Sequence, residues 1–172
     1  MSQLRPGTPF PNVSLPTLDG APATLHDPNA FMTVIDVYRG LHCPKCKAHL
    51  EDLSALRDDF KTQNVTLVMA STDPEERARE AASTWAVEGL RIAHGMSIEQ
   101  ARGLGLLISS SIREGETDRF AEPGVFIVQG DGTLYGSIIN SFPFARPAAK
   151  DLLDVVNVVK ERQYPPRGTL AA

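Results

Sequence analysis

Two cysteines set two residues apart, directly behind an apolar run, constrain this chain more than any other feature. They form Cys43-Pro44-Lys45-Cys46 and are the only cysteines in 172 residues. That is too few for a secreted disulfide framework, and random scatter would give this spacing in only about 1% of such chains. Ahead of the pair, Thr33-Val34-Ile35-Asp36-Val37-Tyr38 has the β-branched composition of a strand in the middle of a sheet. A tight link, Arg39-Gly40-Leu41-His42, follows, and Pro44 suits the first turn of a helix. Leu50, Leu53, Leu56 and Phe60 continue as one helical stripe, so the cysteines are expected at its N-terminal end.

The rest of the chain reads as β-α-β-α, a variable insert, then β-β-α. Prolines at 6, 11, 16, 22 and 28 around short apolar pieces, with Asp19-Gly20 as a turn, predict a small N-terminal hairpin. Val65 to Ala70 reads as a second central strand, and Asp73-Pro74-Glu75-Glu76 as a helix start with Asp73 as N-cap. Ala78, Ala81, Ala82 and Trp85 form that helix's buried face. Arg91 to Ala93 is expected as a short strand and Ser97 to Gly105 as a brief helix. Val125 to Val128 and Leu134 to Ile139, joined through Gly130-Asp131-Gly132, predict an antiparallel hairpin. Leu152, Val155, Val156 and Val159 define a C-terminal amphipathic helix ending before Pro165.

Hydrophobic residues make up 42% of the chain, enough to bury a core without a metal or disulfide staple. With no linker or repeat visible, a single domain over 1–172 is expected. A net charge of -4 offers no basic field for nucleic acid. No apolar stretch approaches the roughly 20 residues that span a bilayer, so a cytoplasmic chain that engages neither nucleic acid nor membrane is expected.

A thiolate, not a thiol, attacks, and a cysteine at a helix N-terminus meets unpaired N–H groups and the positive end of the helix dipole. Cys43 fits that position, with His42, Lys45 and Lys47 adding charge or donors; it is expected to be the solvent-accessible, lower-pKa thiol. Cys46, one turn further in, is expected to be the buried one. Cys43 would attack an oxidised substrate, and Cys46 would then attack the Cys43 sulfur and close a disulfide. Two alternatives compete. The pair could supply two zinc ligands, with His42 or His49 and His26 or His94 completing the set, although no second cysteine pair is present. Both cysteines could instead be inert core residues. No cofactor or metal is expected on the redox reading.

The run Val34 to Cys46 resembles the active-site strand, loop and helix of the thioredoxin-like redoxins, specifically the alkyl hydroperoxide reductase/thiol-specific antioxidant (AhpC/TSA) group of peroxiredoxin-like proteins. Leu15 to Leu25, Ala70-Ser71-Thr72-Asp73-Pro74 and Pro123-Gly124-Val125-Phe126-Ile127 before Gly130-Asp131-Gly132 extend the resemblance over nearly the whole chain. It implies an α/β thioredoxin fold, a central mixed β-sheet flanked by helices with an N-terminal β-hairpin, and a dithiol enzyme.

The sequence departs from that group's pattern at three positions. Peroxiredoxins carry a Pro seven residues and a Thr or Ser three residues before the attacking cysteine; Asp36 and Gly40 stand there. They place an Arg immediately before the strand that holds Phe126, and Pro123 stands there, where thioredoxins put a cis-proline that faces the cysteine pair. Arg39 or Arg119 could replace the missing guanidinium. The resulting expectation is a thiol oxidoreductase with Cys43 as nucleophile and Cys46 as resolving residue, supported by His42, Arg39, Pro44, Lys45 and a cis Pro123. Thiol–disulfide exchange ranks ahead of reduction of hydrogen peroxide or organic hydroperoxides. Its partners would be the disulfide or hydroperoxide, a thiol reductant such as a thioredoxin or glutathione system, and a second copy of the chain. Ser141 to Pro147 is a candidate groove-shaping segment, set against ordinary packing at a helix entrance.

Overall fold

The computed structural model describes residues 4–170. Two short strands, β1 (Ser14–Leu15) and β2 (Ala23–Thr24), form the expected antiparallel hairpin. The chain then runs through β3 (Met32–Val37), α1 (Pro44–Ala55), α2 (Arg57–Thr62), β4 (Val65–Ala70), α3 (Glu75–Thr84), β5 (Arg91–Ala93) and α4 (Ile98–Gly103). It continues with β6 (Ile108–Ser110), β7 (Arg119–Ala121), β8 (Gly124–Gln129), β9 (Leu134–Ile139) and α5 (Ala149–Arg162). Five strands make one mixed sheet in the order β5-β4-β3-β8-β9, with β3, β4 and β5 parallel and β8 and β9 antiparallel to their neighbours.

Because side chains alternate across a strand, the sheet divides the core in two. Met32 and Val34 of β3 and Tyr38 just after it join Leu67 and Met69, Val125 and Ile127 under Leu50 and Leu53 of α1, Ala78 and Ala81 of α3 and Leu152 and Val156 of α5. Ile35 and Val37, Val68 and Ala70, and Phe126 and Val128 face the other way, against Leu15, Leu25, Ala101 and Leu104. No helix among the described residues is long and apolar enough to cross a membrane.

Register decides where the loops meet. Val37 pairs with Ala70 on one side and Gly124 on the other; Ala70 pairs with Ala93, and Gly124 with Ile139. One row of residues therefore brings the segments after β3 and β4, before β8 and after β9 to one end of the sheet. Ends of parallel strands at a change of strand order are where open α/β sheets place their sites.

Three local expectations are corrected. The single stripe from Leu50 to Phe60 is broken at Leu56, whose φ -97 and ψ 6 end α1 and start α2. Asp73 does not cap α3: Pro74 is the N-cap, with no side-chain cap hydrogen bond. The region beyond α4 is more ordered than its composition suggests, since Ile108 to Ser110 pair antiparallel with Arg119 to Ala121. Its polar serines carry little strand signal; the partner strand supplies the order.

Candidate active site

The thiols lie where β3 gives way to α1. Cys43 is the N-cap of α1 in extended conformation (φ -103, ψ 102), Pro44 follows at the first turn, and the Cys43 sulfur accepts the Cys46 backbone N–H at 3.3 Å. Cys46 Sγ, one turn on, accepts the Arg39 backbone N–H at 3.3 Å. Both cysteines are free thiols. Cys46 is fully buried, and Cys43 is only 2% exposed. That corrects the expectation of an accessible Cys43: the loops gathered at this end of the sheet cover an N-cap that would stand open on an isolated helix.

The expected order of acidities holds. A hydrogen bond from the Cys46 thiol, opposed by burial and aided by the Cys46 N–H, the Arg146 charge and the Arg39 side chain, brings the Cys43 thiol down to about 6. Burial, followed by the hydrogen bond and charge of Cys43, pushes Cys46 well up. One sulfur is thus a thiolate near neutral pH while its neighbour remains a proton donor.

The cation at the sulfurs is Arg146, which the sequence reading did not single out. Its Nη2 lies 3.0 Å from Cys46 Sγ and 3.7 Å from Cys43 Sγ. Arg146 sits in the β9–α5 connection, inside the segment flagged for shaping a groove, flanked by Phe142 and Phe144 at 70% and 75% exposed. Its Nη1 donates to the Pro143 carbonyl at 3.4 Å and also meets Ala145 O. A guanidinium presented to two sulfurs supplies a delocalised charge and fixed donors that a lysine cannot reproduce.

The other expected residues have different places. Arg39 turns its guanidinium toward Glu122 (3.1 Å) and Glu116 (3.8 Å), with Phe120 beneath it at 4.8 Å. The His42 ring packs on the same Phe120 at 4.8 Å, and burial followed by the Arg39 charge lowers its pKa, so it contributes no cation at neutral pH. Lys45 is exposed, and Lys47 pairs with Glu51 along the helix. Arg119 is exposed on β7. Pro123 is buried, but the Glu122–Pro123 bond is trans, which corrects the expected cis bond. Here the chain passes straight from β7 into β8: Glu122 N–H donates to Leu107 O at 2.7 Å, and Pro123 O accepts Asn140 N–H at 2.9 Å.

Asp36, at the family's proline position, makes a buried pair with His49, Oδ2 to Nε2 at 2.7 Å. Its neighbours Val34 and Tyr38 on that face pack with Cys46 in the same core. No group of three or more His, Cys, Asp or Glu among the described residues is arranged to hold a metal ion.

The profile of the AhpC/TSA family matches residues 6–137. A search of curated proteins returned no match. Among solved structures, AhpC of Mycobacterium tuberculosis superposes with a TM-score of 0.77 at 14% identity, covering 98% of this chain and 100% of that one. The peroxidoxin BcpB of the same organism gives 0.74 at 18%, covering 91% and 99%. A cysteine variant of peroxiredoxin 6 from Arenicola marina gives 0.72 at 22%, covering 90% and 73%. These likenesses establish the fold. With the family profile over most of its length and two thiols side by side at the end of β3, the chain belongs to the AhpC/TSA family, as a thiol peroxidase or thiol oxidoreductase.

Proposed function

We propose that the protein is a two-cysteine thiol peroxidase, with Cys43 as the attacking sulfur and Cys46 as the resolving one. The observation that carries this reading is the Arg146 guanidinium, within 3.0 and 3.7 Å of the two sulfurs. The Cys43 thiolate attacks one oxygen of the O–O bond, which breaks. The departing oxygen takes a proton and leaves as water or an alcohol, and Cys43 becomes a sulfenic acid. The Cys46 thiol then gives up its proton to the sulfenic hydroxyl as its sulfur attacks Cys43, the S–O bond breaks, water leaves, and a disulfide forms. A thiol reductant of the thioredoxin or glutathione class returns both cysteines to thiols and is itself oxidised to a disulfide. Arg146 stabilises the thiolate first and the charge on the departing oxygen second.

Burial of Cys43 favours a small oxidant over a protein disulfide, and the trans Pro123 gives no support to a thioredoxin-type groove. Thiol–disulfide exchange is retained as the second reading because of Gly40, which offers no hydroxyl to a bound peroxide. Stopped-flow mixing of the reduced protein with hydrogen peroxide, and separately with a small disulfide, distinguishes the two. Saturable oxidation by peroxide, with the sulfenic acid trapped on Cys43, is the expected result; rapid exchange beside slow peroxide oxidation overturns the ranking.

A further inference from the structure

We infer that Asp73 is a positioning residue of the thiol site: its carboxylate, rather than a side chain at position 40, holds the turn from which Cys43 presents its sulfur. Asp73 follows β4, ahead of α3, in the row of loops that meets the end of β3. It is fully buried. A buried carboxylate is costly unless its oxygens are satisfied. Instead of capping α3, Asp73 accepts the Leu41 backbone N–H on Oδ2 at 2.7 Å and the Arg77 Nε on Oδ1 at 3.2 Å. One of its two partners is thus the active-site loop itself.

Gly40 makes this approach possible. Its φ is +131, in the region that favours glycine, and a Cβ built there would lie 2.7 Å from both Asp73 oxygens. The carboxylate and a residue 40 side chain are mutually exclusive in this arrangement. Gly40 O in turn accepts the Cys43 N–H at 3.1 Å. The path from Asp73 to Leu41 N–H, through the Gly40–Cys43 turn to the N-cap, contains only short backbone steps. At its end the Cys43 sulfur must stay 3.3 Å from Cys46 N and 3.7 Å from Arg146. Misplacing a reacting atom by about 1 Å can cost about 10²-fold.

This inference rests on the proposed function only in taking Cys43 as the attacking sulfur. The rival view is that Asp73 merely pairs with Arg77 to staple α3. The test is the pH profile of Cys43 alkylation by iodoacetamide, read by peptide mapping, in the full chain and in Asp73→Ala, Asp73→Asn and Arg77→Met, each checked for a cooperative thermal transition. Asp73→Ala should raise the alkylation midpoint by about one unit or more, a tenfold loss of thiolate below it. Asp73→Asn, which keeps an acceptor for Leu41, and Arg77→Met should both stay near the parent midpoint. Hydrogen exchange in the unmodified protein gives a readout independent of any variant: the Leu41 amide should be protected although it lies in a loop. A folded Asp73→Ala with the parent midpoint, an Asp73→Asn shifted as far as the alanine variant, a shift in Arg77→Met, or a freely exchanging Leu41 amide overturns the inference. Should Asp73→Ala not fold, the asparagine profile and the Leu41 amide decide. Alkylation uses no hydroperoxide, so a failed peroxidase assay leaves the inference standing, whereas preferential labelling of Cys46 removes the proposed function.

Discussion

Replacing Arg146 with Met separates what the guanidinium does to the resting thiolate from what it does to the reaction. In the resting site its Nη2 stands 3.7 Å from Cys43 Sγ. A full charge pair at about 4 Å is worth about 4 kcal/mol at an effective dielectric of 20, an upper limit because guanidinium charge is delocalised. A hydrogen bond to a charged group, worth about 1.5 to 3 kcal/mol, is the nearer measure and equals about one to two pKa units. The Cys43 midpoint should therefore rise from about 6 to about 7 or 8. Reactivity at a single pH would mislead: a more basic thiolate is intrinsically more nucleophilic, with a Brønsted slope of about 0.4 to 0.5, which offsets most of the lost ionisation. The informative comparison is at about pH 9, where both proteins are largely thiolate. There ionisation no longer separates them; losing one preorganised donor costs about 10²- to 10³-fold, the more basic thiolate recovers about 3- to 10-fold, and peroxide oxidation should still slow by about tenfold or more. Thiolate absorbance across pH gives the first quantity, and stopped-flow oxidation at high pH gives the second. Arg146→Lys should restore most of the midpoint and little of the rate, because an ammonium lacks the planar fork. An unchanged midpoint together with an unchanged high-pH rate would falsify the assignment of Arg146.

Three further outcomes follow from the same geometry. Cys46→Ser should still be oxidised once by peroxide but accumulate Cys43 sulfenic acid and lose turnover with a dithiol reductant, read by mass spectrometry after dimedone labelling; normal turnover would remove the resolving role. His49→Leu leaves the buried Asp36 carboxyl without its partner and should destabilise the fold by about 3 kcal/mol in urea unfolding, while Asp36→Val combined with His49→Leu should recover much of that loss; a single variant as stable as the parent contradicts the pairing. For the reduced protein, Cys43 has a folded pKa of about 6, below its ordinary value of 9.0, so its contribution is absent at low pH, grows as pH rises through about 6 and is complete near 9. Cys46, raised by burial, acts in the opposite sense above its ordinary value. The urea midpoint of the parent relative to Cys43→Ser should therefore rise between pH 6 and pH 9 in the parent's favour; a flat difference argues against a native thiolate.

The elements that carry the fold were legible because they rest on local patterns. Val34 to Val37, apart from Asp36, and Val65 to Ala70 are largely apolar and rich in β-branched residues, and both lie in central strands. Gly130-Asp131-Gly132 turns β8 into β9, where a Cβ on Gly130 would lie 2.6 Å from Ala30 O. Cys43 and Cys46 were legible for the same reason: the spacing and the proline are contained in four residues. What escaped was every partner supplied from a distance. Arg146 lies 103 residues from Cys43 and Asp73 lies 32 from Leu41. Sequence treats the first as one arginine among several and the second as an ordinary helix cap. The burial of Cys43 escaped for the same reason, since an N-cap is exposed until other loops cover it. The cis bond expected at Pro123 came from comparing positions along the chain, whereas the bond is set by the link between β7 and β8.

Two of the departures from the family pattern, at 40 and 123, share a physical logic that the sheet register explains. Ala70, Val37, Gly124 and Ile139 stand side by side across four strands. Position 123 precedes this row on β8, positions 140 to 147 follow it on β9, and the two segments touch through Pro123 O and Asn140 N–H at 2.9 Å. A guanidinium missing before β8 can therefore be delivered to the same sulfurs from the chain that follows β9, and Arg146 is so delivered. Likewise Ser71 to Asp73 follow the row on β4, next to the loop that follows it on β3, so a side chain absent at position 40 leaves room that the Asp73 carboxylate fills. A neighbouring cation and a helix N-terminus each favour the thiolate wherever along the chain they come from. Neighbouring strand ends in one row are interchangeable sources of both, so the missing arginine at position 123 does not by itself argue against peroxide chemistry once the register is known.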